Sequence, residues 1–171
     1  MIKTLEQLSQ QLDKTVHSSK NQAKQVAEKL YSKFIFIYGA DITTEVAYRW
    51  KAQLNENSKT WAACESFSEL NHNTIAGYQF PEYLSAHAII LLLRSNQLSE
   101  QILKRYDVTC QLLEQFKIKY IIIDACGDNL LTQMMSLVLL GDYISYYLAI
   151  LNQIDPTPVE AINFLKHKLR A

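Results

Sequence analysis

The stretch FIFIYGADITT, residues 34–44, determines the fold class of this chain. It opens with Phe34–Tyr38, five β-branched or aromatic residues, which is typical of a strand buried on both faces of a parallel sheet. Gly39 ends the apolar run, and Asp41, Thr43 and Thr44 are residue types that cap helices. A strand, a glycine loop and a helix start predict an α/β unit that can cradle a ligand at the carboxyl end of its sheet.

The same alternation continues along the chain. Two further apolar runs, HAIILLL at 87–93 and KYIIIDA at 119–125, predict buried strands, and 60–64 predicts a short one. Helical spacing predicts helices over Glu45–Asn57, Ser99–Gln115 and Asn129–Ile154, with Gly141 as a candidate break in the last. Residues 65–78 are polar, and we expect them to be irregular or partly helical.

The two ends of the chain predict helices as well. Apolar positions at helical spacing run through residues 1–30, with a gap near His17–Asn21 where the helix kinks or breaks. The sequence DPTP at 155–158 is a stop-and-restart pattern, and Pro158 suits the first turn of a last helix that ends near Arg170. We expect His17 to be solvated and His87, which opens an apolar strand, to be a core histidine.

These elements predict an α/β fold, a three-layer αβα sandwich with a mostly parallel sheet. The 171 residues suffice for one domain with a real core, and two would be cramped. We therefore expect a single domain over residues 1–171, with an N-terminal helix at 1–30 and the core plus a C-terminal helix at 34–171.

Composition excludes several function classes. Seventeen Lys and Arg balance seventeen Asp and Glu, so no basic field exists to hold nucleic acid or an anionic membrane. The apolar strands are too short to cross a bilayer, and the N-terminus lacks a signal-peptide pattern. Three cysteines at unrelated spacings argue against a disulfide framework and for a cytoplasmic protein. The sequence contains neither a GxGxxG nor a GKS/T motif, so it gives no indication of nucleotide binding.

The polar stretch Ala47–Gly77 is the best candidate for a functional site. RWKAQLNEN predicts the polar face and end of an amphipathic helix, and ELNHN predicts a polar turn. Glu56 and His72 lie one on each piece, sixteen residues apart. A carboxylate and a histidine that converge on a cleft can carry general acid–base chemistry. In the alternative interpretation Glu56 is a solvated helix-end carboxylate and His72 an ordinary loop side chain.

Other chemistries have weaker support. Cys64 and Cys110 have no adjacent basic residue, Cys126 lies in a strand-end DACG, and no GxSxG occurs. The four histidines show no metal-binding spacing. We therefore expect neither a metal nor another cofactor.

Three motifs in order resemble the C-terminal half of the bifunctional phosphoglucose/phosphomannose isomerases, a sugar isomerase (SIS) family with two SIS domains. They are NENSK, then ELNHNTIAGY, then GDYISYYLAILNQIDPTPVEAINFLK, and the resemblance runs from about Phe34 to the end. It implies an SIS-type, flavodoxin-like fold and the interconversion of fructose 6-phosphate with glucose 6-phosphate or mannose 6-phosphate through a cis-enediol. The Glu-to-His spacing is also similar to that of the isomerase half of glucosamine 6-phosphate synthase.

The resemblance assigns roles to individual residues. It implies that Glu56 is the base and that His72, contributed by an adjacent subunit, assists opening of the sugar ring. It further implies that Thr157 and Lys166 line the site near the last helix, although Thr157 also fits a plain helix cap. Arg49 and Asn71 complete the expected substrate-binding set: Arg49, Asn71, Thr157 and Lys166.

The chain also departs from the family pattern. Family members are about twice as long, and their N-terminal SIS domain carries a Ser/Thr-rich loop for the sugar phosphate, which has no counterpart here. Thr74 follows ELNHN where the family pattern has a further Glu. Two hypotheses follow. The chain is the acid–base half of an isomerase site, working as a homodimer or with another SIS domain, or it is a non-catalytic domain that binds a sugar phosphate or a partner.

Overall fold

The computed structural model describes residues 1–170, and their strands form one parallel four-stranded sheet. The strands are β1 Phe34–Gly39, β2 Ala62–Ser66, β3 Ala88–Arg94 and β4 Lys119–Asp124. Their order is β2-β1-β3-β4, so β1 and β3 are central and β2 and β4 are edge strands. Every neighbouring pair is parallel, which confirms the predicted sheet type.

The helices flank this sheet. They are α1 Ile2–Leu12, α2 Gln22–Leu30, α3 Ile42–Asn57, α4 Phe67–Leu70, α5 Leu84–His87, α6 Glu100–Gln115, α7 Leu130–Leu151 and α8 Glu160–Lys168. Short 3-10 turns occupy Ser18–Lys20 and Thr74–Gly77. The predicted break near His17–Asn21 is confirmed, because the Asn21 side chain accepts a hydrogen bond from the Lys24 amide and starts α2 afresh. His17 is exposed, as expected.

Two hydrophobic cores lie on the two faces of the sheet. On one face, α1, α2, α3 and α7 cover the strand residues Ile35, Ile37, Ile89, Leu91 and Ile123. On the other, α4 and α6 cover Tyr38, Ile90 and Leu92, and Phe67 stacks on Tyr106. Helices therefore sandwich the sheet, and the predicted three-layer αβα architecture is confirmed.

The first β–α connection is held by one buried threonine. The Thr43 hydroxyl accepts from the Ala40 amide at 2.8 Å and lies 2.9 Å from the Leu93 carbonyl oxygen, to which it can donate. Gly39 is required here, because a Cβ at this position would overlap the Thr43 carbonyl. The start of α3 is thus fixed against β3 at the carboxyl edge of the sheet.

Predictions for the strand boundaries and for His87 need correction. Strand β2 starts at Ala62 rather than Thr60, because Lys59 adopts a left-handed φ of 53° and the chain is still leaving α3. As a result Glu65 and Ser66 belong to β2 and not to the irregular segment. His87 is not a core histidine: it ends α5, it is exposed, and β3 begins at Ala88.

Two predictions about the last helices were also wrong. Helix α7 is continuous through Gly141, because the missing side chain leaves room for the Trp50 indole. Helix α8 begins at Glu160, after Pro158, and its N-cap is Val159. The Asp155 carboxylate instead accepts a hydrogen bond from the Thr157 amide, which forms a turn before the helix.

Helix α7 is the one helix within residues 1–170 that is long and apolar enough to cross a membrane. The prediction that the apolar segments are too short to cross a bilayer rested on the strands and did not extend to this 22-residue helix. The most apolar window of α7 has a mean hydropathy of 1.6, and half of it is buried inside the domain. Since α7 packs against α1, α2 and α3, its apolar character is explained by its place in the core.

Candidate functional site

A cleft of about 580 Å³ lies where the end of α3 meets α8 and the segment that follows α7. We call it the α3–α8 cleft. Its walls are mostly apolar, and its polar lining consists of Asn55, Glu56, Lys59, Asp155 and Glu160. Of the six residues predicted for the site from the sequence, Glu56 is the one in the lining.

The end of α3 presents Glu56 to this cleft. Val46, Trp50 and Leu54 form the buried stripe of the helix, as predicted, so Glu56 in its last turn points away from the core. The neighbouring asparagines are structural: Asn55 accepts from the Ala62 amide of β2, and Asn57 donates to Ser145 of α7. The exposed Glu56 carboxylate therefore stands on a helix end that is fastened on both sides.

Lys59 closes one side of the cleft. Its ammonium group donates to the carbonyl oxygens of Glu56, at 2.5 Å, and Pro156, at 3.2 Å, so it ties the end of α3 to the DPTP segment. Lys59 was not among the residues predicted for the site, although it lies three residues after Glu56 in the NENSK motif. Hydrogen bonds from the Thr157 backbone and side chain hold the pKa of Asp155 below its ordinary value, so this carboxylate stays ionised.

His72 lies elsewhere in the chain. It is exposed, in the turn between α4 and the 3-10 turn Thr74–Gly77, after the carboxyl end of β2. Glu56 is beside the opposite end of that strand, because Asn55 binds the amide of Ala62, its first residue. Five residues of strand span about 16 Å. One chain therefore does not bring Glu56 and His72 together.

The proposed substrate-binding residues are spread over three places. Arg49 donates to Gln53 and pairs with Asp142 at 3.2 Å, which links α3 to α7. Burial raises the pKa of Asp142, and Arg49 opposes that rise. Asn71, which precedes His72 in the sequence, donates a hydrogen bond to Thr109 of α6. Thr157 lies in the turn at the edge of the α3–α8 cleft, and Lys166 is exposed in the last turn of α8.

No metal centre is evident in the part of the chain that the structure describes. No three His, Cys, Asp or Glu side chains converge there. The three cysteines are free, and burial raises the pKa of Cys64 and Cys110. These two thiols are therefore poor nucleophiles at neutral pH.

Residues 19–169 match the sequence profile of the bacterial phospho-glucose isomerase C-terminal SIS domain. The chain belongs to this family. The bifunctional phosphoglucose/phosphomannose isomerase of Caldicellulosiruptor bescii is 41% identical over 169 residues, which cover 98% of this chain and 50% of that protein. The enzyme of the same name from Aquifex aeolicus is 32% identical, covering 97% of this chain and 52% of its own length. The chain thus spans about half the length of these relatives.

Solved structures agree with this SIS assignment at the level of the fold. The crystal structure of a glucose-6-phosphate isomerase like protein from Thermus thermophilus superposes with a TM-score of 0.73 at 21% identity, covering 90% of this chain and 51% of that one. The C-terminal domain of glucosamine-fructose-6-phosphate aminotransferase from Francisella tularensis gives a TM-score of 0.67 at 17% identity, covering 90% and 44%. The SIS fold predicted from the motifs is confirmed.

Proposed function

We propose that this SIS domain is the acid–base half of a phosphosugar isomerase that interconverts fructose 6-phosphate with glucose 6-phosphate or mannose 6-phosphate. The observation that carries the proposal is the exposed Glu56 carboxylate at the mouth of the α3–α8 cleft, on a helix end fixed to both β2 and α7. A fixed carboxylate facing an apolar-walled cleft is suited to move a proton on bound substrate.

Glu56 is the base in this scheme. Its carboxylate takes the C2 proton of the open-chain aldose while a water molecule gives a proton to the carbonyl oxygen at C1, which yields a cis-enediol. Glu56 then returns its proton to C1 while water takes the proton of the O2 hydroxyl, and the ketose forms. The proton that water gives to O1 is balanced by the one it receives from O2, and no electrons leave the sugar, so this scheme uses no redox cofactor.

The position of His72 implies a shared site. Because β2 separates it from Glu56 within one chain, His72 can assist ring opening only in a site completed by another SIS domain or a second copy. The exposed His72 imidazole is free for such a contact. We therefore propose a homodimer, or a pairing with a separate SIS domain, as the active assembly. We also propose that this assembly is cytoplasmic.

The charges of the α3–α8 cleft suggest that the phosphate is held elsewhere. Glu56, Asp155 and Glu160 line it together with one ammonium group, that of Lys59, and two carbonyl oxygens already occupy that group. These surroundings disfavour a phosphate dianion. The proposal therefore assigns phosphate binding to a second SIS domain and the proton transfer to this one.

A coupled isomerase assay tests the proposal. Fructose 6-phosphate is offered to the chain alone and to the chain mixed with the N-terminal half of the Caldicellulosiruptor bescii relative, followed by detection of glucose 6-phosphate and mannose 6-phosphate. We expect turnover in the mixture that depends on Glu56. A mixture that forms a complex yet gives no turnover above either half alone would contradict the enzyme proposal.

That negative outcome would favour the second candidate, a non-catalytic partner-binding domain. The observation in favour of it is α8, on which every residue is exposed, including the apolar Ile162, Phe164 and Leu165. A helix with an uncovered apolar side is expected to bind another protein surface. Retained binding between the two halves without turnover would distinguish this function from catalysis.

A further inference from the structure

The turn that carries His72 is held at both ends by the rest of the domain. We call the segment Asn71–Thr74 the His72 turn. At its first residue, the half-buried Asn71 amide donates to the Thr109 hydroxyl at 3.1 Å and its carbonyl oxygen accepts from Arg105 at 3.3 Å. Both partners lie on α6, so this end of the turn is fastened to the helix layer.

The other end of the His72 turn is fastened to the sheet. The Thr74 hydroxyl donates to the Glu65 carboxylate at 2.5 Å, and Glu65 belongs to strand β2. The Asn73 side-chain oxygen lies 2.9 Å from the same hydroxyl and also accepts from the Thr74 amide, which starts the 3-10 turn. A hydroxyl has one proton to donate, and an ionised carboxylate is the stronger acceptor.

The four side chains of the turn differ in their hydrogen bonding. Those of Asn71, Asn73 and Thr74 make hydrogen bonds within the domain, and His72 is left exposed. The Thr74 hydroxyl supplies a hydrogen-bond donor to the Glu65 carboxylate, so this pair links the turn to strand β2.

We propose that Glu65 and Thr74 are positioning residues that hold the His72 turn so that the imidazole is presented outward in a fixed place. The inference rests on the proposed function for its catalytic consequence, but the hydrogen bond and its effect on the turn are independent of it. A general acid–base group displaced by about 1 Å can lose up to about a hundredfold in rate.

Thr74→Val tests the hydrogen bond, because valine keeps the shape of threonine and removes the hydroxyl. Thr74→Ser restores the donor. Thr15→Val is a matched control, since Thr15 makes a similar bond to Asp13 far from the turn. The chain has four histidines, so the ring signals of His72 can be assigned in a nuclear magnetic resonance spectrum by single substitution.

We expect Thr74→Val to increase the backbone mobility of residues 71–74 and to shift the His72 ring signals, while Thr74→Ser and Thr15→Val leave both unchanged. In the active assembly, Thr74→Val lowers kcat between about tenfold and a hundredfold with KM changed by less than about twofold, and Thr74→Ser recovers it. This kcat-against-KM split, with rescue by serine, separates positioning from general destabilisation.

The two parts of the inference fail separately. Unchanged mobility and ring signals in Thr74→Val overturn the role of the hydrogen bond. A loosened turn with unchanged kcat overturns the positioning role of the pair. If the wild-type assembly shows no turnover, the proposed function fails, and the spectra alone decide whether Glu65 and Thr74 fix the turn.

Discussion

At the scale of single residues, three consecutive polar residues at the end of α3, Asn55–Asn57, have different roles. Asn55 and Asn57 make side-chain hydrogen bonds that fix the helix end, whereas within residues 1–170 the side chain of Glu56, between them, makes none. Sequence pattern alone could not separate these roles, because all three residues are polar and adjacent. The structure therefore turns a general statement about the NENSK motif into a specific expectation for one carboxylate.

The substitution Glu56→Gln tests that expectation. Glutamine keeps the shape of glutamate and its hydrogen bonding but cannot take a proton, so turnover in the active assembly should fall about a hundredfold or more. Stability should barely change, because the side chain is exposed. Steady-state kinetics and thermal unfolding provide the two measurements.

Glu28→Gln is the matched control for this prediction. Glu28 is an exposed glutamate on α2, and the substitution makes the same chemical change away from the α3–α8 cleft. We expect it to retain wild-type activity. An equally active Glu56→Gln would return Glu56 to the role of a solvated helix-end carboxylate.

At the scale of elements, the contact between α3 and α7 shows why a glycine persists in a long helix. The Trp50 indole donates to the Leu137 carbonyl at 2.8 Å and occupies the space beside Gly141. A Cβ on residue 141 would overlap the indole ring, which this hydrogen bond holds in place. The glycine is therefore a packing requirement and not a break.

Gly141→Ala should destabilise the domain although alanine is the better helix former. The gain in helix propensity is about 1 kcal/mol, and overpacking in a core costs typically about 1–3 kcal/mol. We expect a net loss of about 1 kcal/mol in the free energy of unfolding, from the difference of these terms. Gly77→Ala, where a Cβ meets nothing within 4 Å, should be neutral in the same denaturation experiment.

The same contact explains how far the sequence could predict the elements. Strands β1, β3 and β4 were predictable because their runs are apolar throughout, and the alternation with helices predicted the three layers. The continuity of α7 could not be predicted from the sequence, because it depends on Trp50, which lies ninety-one residues before Gly141. The start of β2 depends on the backbone of Lys59 and the place of His87 on a local turn, neither of which has an apolar pattern.

The candidate site was predictable only as a pair of motifs. Glu56 and His72 were proposed from their residue types and the family resemblance, while their separation by β2 emerges from the fold. Lys59 was missed because its contacts are with backbone carbonyls, and sequence pattern carries no trace of such bonds. The role of Asn71 in fastening the turn likewise depends on α6, more than thirty residues away.

At the scale of the whole molecule, the uncovered apolar surface predicts association. The sequence suggested that α7 has more apolar faces than one sheet can cover. In the structure α1, α2 and α3 cover much of it, which leaves Leu130, Leu131 and Met135 exposed at its start. Helix α8 adds Phe164 and Leu165, and Leu169 follows directly after the helix; each of the three is more than half exposed.

We expect light scattering to show a dimer or larger species at high concentration. Phe164→Asp should weaken that association, because it places a charge on the apolar side of α8. Ile2→Asp is the control, since Ile2 is equally exposed but lies on α1, at the other end of the chain. A well-behaved monomer at high concentration would contradict the prediction.

The charge of the α3–α8 cleft leads to a prediction about substrate affinity. With three carboxylates and one occupied ammonium group around it, the isolated chain should bind fructose 6-phosphate more weakly than a Kd of about 1 μM, which corresponds to about −8 kcal/mol. Isothermal calorimetry measures this directly. Micromolar binding by the chain alone would show that it holds the phosphate without a second SIS domain.

The separation of Glu56 and His72 by β2 makes a shared site testable by mixing variants. In a symmetric dimer whose sites each take Glu56 from one chain and His72 from the other, Glu56→Gln and His72→Ala homodimers are both severely impaired. After subunit exchange about half the dimers are mixed, and each mixed dimer has one intact site and one doubly mutated site. About a quarter of wild-type activity should therefore return.

The opposite outcome follows if both residues act from the same chain, because every site in the mixture then carries a defect. Subunit exchange is confirmed with mass-tagged subunits. A fully exchanged mixture that is no more active than its parents excludes the shared site.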